Sequence, residues 1–428
     1  MHIATEPTAQ PEMKTGVPVT PLRTLVAFCL LGVGIWILCL AMSRQTAANT
    51  DFVSFWAAGQ QLVHHGSPYD GAAISRLEES VGAHFDPPLL MRNPPYAFFL
   101  VLPLGLMSAK VGATVWSIAI IAALMASTRL LWIFHGRPEG RLHLIAYCFP
   151  PTFVCLLNGQ TSMFVLLGVV AFLYFQETKP FLAGTALLLC AVKPHLFIPF
   201  AVVLLTWILI QRAFRILAGF ATAMLASCTL SFSFDPSAWS HYVHRANAEN
   251  IQNQFIPTVS LLFRVAVNVK VAWLQFVPVC VACLWALWYF WEQRKQWKWT
   301  DQGSLLLMIS VVVAPYAWFT DQSVMFPAIL AGLYLAENSS RSMLLFGAIT
   351  GVAMLEVLFG VGVNSGFYFV WAAPAWLAWY LYTKGSTVPP IARSQLKRSQ
   401  IKPSSAALPS MRCQFLTQSA RNGRLRAT

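Results

Sequence analysis

Long apolar runs recur along most of this chain, each broken by a few polar or turn-forming residues. The runs lie at about 24–43, 110–134, 143–157, 161–175, 180–192, 195–210, 214–234, 270–291, 303–319, 323–336, 342–362 and 366–382. A helix needs roughly 20 apolar residues to cross the hydrocarbon core of a bilayer. The pattern predicts an all-α polytopic membrane protein, a bundle of about 12 transmembrane helices. The stretch 94–107 is apolar as well, but it is short and opens on two prolines, so it reads as interfacial or partly inserted.

Two long stretches between the runs, about 44–109 and about 235–269, are expected as outer loops. The first contains "DFVSFWAAGQQLVHHGSPYD" at 51–70. Asp51 opens an amphipathic segment there and reads equally as a helix N-cap, accepting from the amides of Val53 or Ser54, or as a chemical group. Phe52, Phe55, Trp56 and Leu62 would lie flat on the bilayer surface. Gly66 would end the helix, and Pro68-Tyr69-Asp70 would turn the chain.

Composition strengthens the membrane assignment. Of 428 residues, 57% are hydrophobic and 11% charged, against about a quarter charged in soluble domains. The net charge of +13 is concentrated, with nine Lys and Arg and no acid after Tyr382. With the N-terminus inside, 21 of the 29 basic residues fall on the cytoplasmic side, and half of the 16 acids fall outside; this is the bias that topology follows. The expected organisation is a polar cytoplasmic N-terminus (1–21), a multi-span membrane domain (22–383) and a basic cytoplasmic tail (384–428). Both termini would then face the cytoplasm of a cell bounded by this inner (plasma) membrane. The run Leu25–Met42 is expected to persist as an uncleaved first helix. Eight of the nine cysteines lie in apolar runs, so the Cys280/Cys283 pair reads as packing.

The scarce polar residues gather at predicted outer helix ends: Asp51, Asn93, Asn158, Gln160, Lys193, His195, Asn253, Gln254, Arg264, Asp321 and Gln322. Ionisable groups at membrane depth are expensive and need a partner or a task. Lys193, before Pro194, either snorkels to water or serves as a cation for a lipid-borne phosphate. Arg264 and His195 are comparable candidates for that phosphate, and Arg92 and His241 are looser ones. Asp321-Gln322 follow "APYAWFT" and read as a plain turn or as sugar ligands. Adjacent His64 and His65 would point about 100° apart on a helix, so they read as surface residues, not a metal pair. The chain has no P-loop, no GxGxxG, no Asp-x-Asp and no HExxH, which leaves cytoplasmic nucleotide chemistry without a seat. No motif requires a cofactor, although the outer carboxylates leave room for a weakly held divalent metal.

Six segments together resemble glycosyltransferase family 87: "DFVSFWAAGQQLVHHGSPYD", "NPPYAFFLVLPLGLM" at 93–107, "LNGQTSMFVLL" at 157–167, "VKPHLFIPF" at 192–200, "NQFIPTVSLLFR" at 253–264 and "APYAWFTDQSVMFP" at 314–327. The resemblance implies a GT-C-like membrane enzyme with a long first outer loop that uses polyprenyl-phosphate sugars, mannose best known among them. It implies an aspartate of that loop as catalytic base, which maps onto Asp51. Many members carry a His pair where this chain has Asp321-Gln322.

The resulting expectation is an inverting hexosyltransferase acting on a lipid or glycan acceptor at the outer face. Lys193, His195 and Arg264 would meet the donor phosphate. Asn158, Gln160, Asn253, Gln254, Asp321 and Gln322 would hold sugar or acceptor. Partners are the lipid donor, the acceptor and the bilayer, with no nucleic acid. Two rival readings remain: a secondary transporter of a polar or lipid-linked solute, suggested by the broken short helices, and a non-catalytic lipid-binding assembly partner.

Overall fold

The structure, a computed structural model, describes residues 51–248, 256, 258–337, 339–360 and 366–386. The polar N-terminus, the predicted first span at 24–43, and Asn253 and Gln254 lie outside the described residues, as does the basic tail after Ser386. Every regular element among the described residues is helical, with no strand. The helices used below are α1 (Phe52–Val63), α2 (Gly71–Ser80), α3 (Pro95–Leu106), α4 (Ala109–Phe134), α5 (Pro150–Asn158), α6 (Ser162–Phe175), α7 (Pro180–Ala191), α8 (Pro194–Gln211), α9 (Phe214–Phe234), α10 (Ala238–Ala248), α11 (Val259–Asn268), α12 (Ala272–Gln293), α13 (Trp299–Val312), α14 (Phe326–Ala336), α15 (Ser340–Leu358) and α16 (Ala372–Ser386).

Five of these, α4, α8, α9, α12 and α15, are long and apolar enough to cross a membrane. They present apolar side chains outward: Leu225, Leu284 and Leu344 are each about 70% exposed (69%, 70% and 73%). A water-facing surface does not tolerate such rows, whereas hydrocarbon does. The other predicted runs among the described residues form shorter helices. The run 143–157 divides into a 3₁₀ turn, Leu142–Tyr147, and α5, because Pro150 and Pro151 interrupt it. The interfacial segment 94–107 becomes α3, only 12 residues long in two 3₁₀ turns around one α turn. α6 has ten of its 14 residues buried, as expected of a helix apolar all round and enclosed by others.

The expectation that α1 lies flat on the bilayer is corrected. Phe52, Phe55, Trp56 and Leu62 are all buried in the protein core, and so are Val53, Ala57 and Ala58 on the other side of the helix. The cause is α3, which crosses α1 at a pair of glycines. A Cβ on Gly59 would stand 2.8 Å from the Gly105 nitrogen, and one on Gly105 would run into the Gly59 carbonyl. Trp56 Nε1 and Gln60 Nε2 donate to the Met107 carbonyl at 3.0 and 3.1 Å, and Gln60 also reaches Gly105 at 3.0 Å. α1 is therefore a clamped internal helix, and its first residue is held in a fixed place.

The end of α1 also differs from expectation. Its left-handed residue is His65 (φ 55°), not Gly66. The amides of His65 and Gly66 bond the carbonyls of Leu62 and Gln61 at 3.1 and 2.7 Å, a Schellman closure with Gly66 one place later than predicted.

Candidate functional site

Three chain breaks meet around the start of α1. The first is Asp51 itself. Its backbone is already helical (φ −59°, ψ −16°) and its side chain makes no capping bond. A capping side chain needs the extended backbone of a flanking residue to reach the free amides. The Ser54 amide and hydroxyl instead bond the Asp51 carbonyl, at 3.2 and 2.7 Å. The N-cap reading of Asp51 is thereby overturned, and its carboxylate points elsewhere. Asp70 does cap, accepting from Ala72 and Ala73 at 3.0 and 3.2 Å.

The second break follows α5. Gly159 takes the left-handed conformation (φ 69°, ψ 31°), with Phe52 Cβ 3.3 Å and Trp116 3.5 Å from where a Cβ would stand. Trp116 Nε1 donates to the Gly159 carbonyl at 2.6 Å. Residue 159 is thus pressed between α1 and α4, which sets Gln160 beside Asp51. Gln160 Nε2 donates to Asp51 Oδ2.

The third break is at Lys193. Proline disfavours helical geometry in the residue before it, and Lys193 sits at φ −134°, ψ 67°. The carbonyls that α7 leaves unbonded there have dedicated partners. Tyr96 donates to Ala191 and Asn93 to Val192, both at 3.0 Å, and Tyr69 donates to the Asn93 carbonyl at 3.0 Å. The "NPPY" and "SPYD" segments are therefore braces for this break.

The Lys193 side chain, 10% exposed, turns inward. Its ammonium donates to Gln160 Oε1 at 3.3 Å, Ser162 Oγ at 3.1 Å and Asp321 Oδ1 at 2.5 Å. Ser162 also donates to Asp321 Oδ1 at 2.7 Å, and Asp321 Oδ2 accepts from the Trp318 amide at 3.0 Å. A continuous path therefore runs Trp318–Asp321–Lys193–Gln160–Asp51. An ammonium has three hydrogens and no acceptor, so Lys193 is fully used within the protein.

Electrostatics follow the geometry. Burial pushes the Asp51 carboxyl above its ordinary value, overriding the Gln160 hydrogen bond and the nearby charges of Lys193 and Arg92. Burial pushes Asp321 up too, but Lys193 and then His195 outweigh it and hold that carboxyl lowered. Asp321 is stabilised as an anion and Asp51 is left more basic, 109 residues from its hydrogen-bond partner in sequence.

The other candidates fall around this chain. His195, half-buried, packs its ring on Tyr316 at 4.0 Å between centroids. Gln322 is buried, and its Oε1 has no hydrogen-bond partner among the described residues. Asn158 is half-buried at the end of α5. Arg264 is fully enclosed on α11, which Ser260 ties to the Val313 carbonyl at 2.8 Å; the path to Asp51 runs without it. Arg92 is exposed. Of the two adjacent histidines, His64 bonds the Gln60 carbonyl at 2.8 Å and His65 stacks on Phe234. Among the described residues no three His, Cys, Asp or Glu gather as a metal site. Sequence reasoning passed over Ser162, although it stands two residues after Gln160 at a helix start, and over the Trp318 amide, which no sequence pattern announces.

A family model for glycosyltransferase family 87 matches residues 92–315, slightly more than half of the chain. That range includes Gln160, Ser162 and Lys193. No curated protein and no solved structure matches the chain.

Proposed function

Because the chain belongs to glycosyltransferase family 87, and is thus a membrane glycosyltransferase, we propose that it moves a hexose, mannose foremost, from a polyprenyl-phosphate donor to a lipid or glycan acceptor. The transfer would occur on the outer face of the plasma membrane, with inversion at the anomeric carbon. Nucleotide sugars stay in the cytosol, so an outward-facing transferase needs a sugar already carried across on a lipid. Such a donor holds its anomeric carbon at headgroup level, the depth expected for a residue just beyond the predicted span 24–43.

One observation carries this reading: a carboxylate at a helix start that does no capping, is raised by burial, and is held by a neutral amide. These are the properties of a general base. Asp51 takes the proton of the acceptor hydroxyl as that oxygen attacks the anomeric carbon, and the lipid phosphate departs from the opposite face. Cationic and hydrogen-bonding groups stabilise the phosphate as its charge grows. Exposed Arg92, within electrostatic reach of Asp51, and His195, within electrostatic reach of Asp321, are groups suited to this. Arg264 would join them only if α11 moves, since it is fully enclosed. Half-buried Asn158 suits a sugar hydroxyl, and Gln322, whose amide oxygen has no partner among the described residues, would do so only if its buried surroundings open.

The test is direct. Membranes carrying the protein are incubated with radiolabelled polyprenyl-phosphate mannose, glucose, galactose or arabinose, and transfer of label is followed. One sugar should transfer with the native chain and not with Asp51→Asn. Equal transfer by that variant would remove Asp51 as the base.

A further inference from the structure

We infer that the Lys193–Asp321 ion pair, with Ser162, is a positioning device that locks the Gln160 amide so that its N–H faces the Asp51 carboxylate. The inference rests on the reading of Asp51 as the base. It assigns Lys193, Asp321 and Gln160 to orienting that base instead of to donor phosphate or sugar.

A glutamine amide is ambiguous in orientation. Gln160 has one accepting end and one donating end of nearly equal shape, and either can be turned toward Asp51. Turned the wrong way, the amide oxygen would face a carboxylate oxygen and repel it. The Lys193 ammonium removes the choice: it only donates, and it contacts Oε1 at 3.3 Å, which leaves Nε2 for Asp51. Lys193 is itself held in place. Asp321 Oδ1 at 2.5 Å and Ser162 Oγ at 3.1 Å take its other hydrogens. Ser162 points its own proton at Asp321, and the Trp318 amide fixes the second carboxylate oxygen. Each member has one orientation that satisfies all of its neighbours.

The arrangement also explains why a cation near the base does not disable it. A lysine bonded directly to Asp51 would stabilise the anion and weaken it as a base. Here a neutral amide stands between them, and Asp321 neutralises the lysine. The base keeps an oriented hydrogen bond without a salt bridge. The charged groups that act on Asp51 are, in decreasing order, Lys193, Arg92 and Asp321. Exchanging the Lys193–Asp321 pair keeps the net charge but removes the stronger Lys193 with the weaker Asp321, so Gln160→Met is the variant that reads the hydrogen bond by itself.

The test reads Asp51 without needing substrate. Dicyclohexylcarbodiimide modifies protonated carboxyls in apolar surroundings, and mass spectrometry of the modified peptide across pH gives the midpoint for Asp51. Gln160→Met should move that midpoint up by about one pH unit, because a hydrogen bond to the charged form is lost. The double variant Lys193→Met/Asp321→Asn should move it in the same direction. Gln160→Met keeps the ion pair, so a folding defect in the double variant does not remove the test. With radiolabelled polyprenyl-phosphate mannose or whichever sugar is transferred, kcat should fall about tenfold in Gln160→Met while the donor KM stays within about twofold. An unmoved midpoint in Gln160→Met would overturn the inference. So would a double variant whose sole defect is a raised donor KM, which would make Lys193 a donor-binding cation. Transfer that persists in Asp51→Asn is a separate result: it removes the base and leaves the midpoints to report orientation alone.

Discussion

Two aspartates open two consecutive helices in this protein, and they behave differently. Asp70 has an extended backbone (φ −78°, ψ 105°), and its carboxylate caps α2. Asp51 has a helical backbone, caps nothing, and bonds a glutamine from the far side of α5. Residue type and local position are the same in both. Asp51 differs because α3 clamps α1 from one side and Gly159 presses against Phe52 from another. A carboxylate near a helix start is therefore informative only once its amides are accounted for. Where a serine and the backbone already close the first turn, the acid is available for chemistry.

The contrast can be broken most forcefully by neutralising each acid. Asp51→Asn should lower sugar transfer roughly 10²–10⁴-fold while the protein still inserts and its thermal unfolding midpoint in detergent changes little. A variant that unfolds instead would make Asp51 a structural residue.

Next in size is the ion pair behind the base. Lys193→Met alone leaves a buried carboxylate without its cation and should destabilise by about 3–5 kcal/mol, measured by thermal or denaturant unfolding in detergent. Adding Asp321→Asn should recover most of that loss. If the single and double variants are equally stable, the pair contributes no coupling.

The two acidities separate the aspartates through pH. The raised Asp51 must be deprotonated to act, so the acid limb of kcat/KM should lie above the ordinary carboxylate value of about 4, with activity lost as pH falls through it. Asp321 has the opposite sign. Its folded-state value is lowered, so it contributes stability in full above its unfolded value, and that contribution is lost as pH falls toward the folded one. Unfolding followed from pH 6 to pH 3 should therefore flatten in Asp321→Asn.

The smallest effect belongs to Asp70. Asp70→Ala should cost about 1 kcal/mol of stability, the usual loss for a cap, with transfer rates unchanged. A large loss of transfer in this variant would mean that this loop tolerates no loosening around Asn93 and Tyr69.

Much of this was legible in the chain itself. Runs of apolar residues in units of membrane thickness set the all-helical class, since a backbone without water must bond internally. Pro150, Gly159 and Pro194 mark the breaks because φ restrictions are local properties, readable without neighbours. The short list of polar residues in apolar surroundings already held Asp51, Gln160, Lys193 and Asp321. Contacts between distant segments were not legible. Periodicity made α1 a surface helix, whereas the Gly59–Gly105 crossing buries it on both faces. Lys193 had no visible partner at 193, because Asp321 lies 128 residues away. Which way an amide turns, and whether an acid caps or reacts, depends on groups brought together by packing. Local rules act through covalent geometry and the solvent; pairings across the fold arise only when helices close on one another.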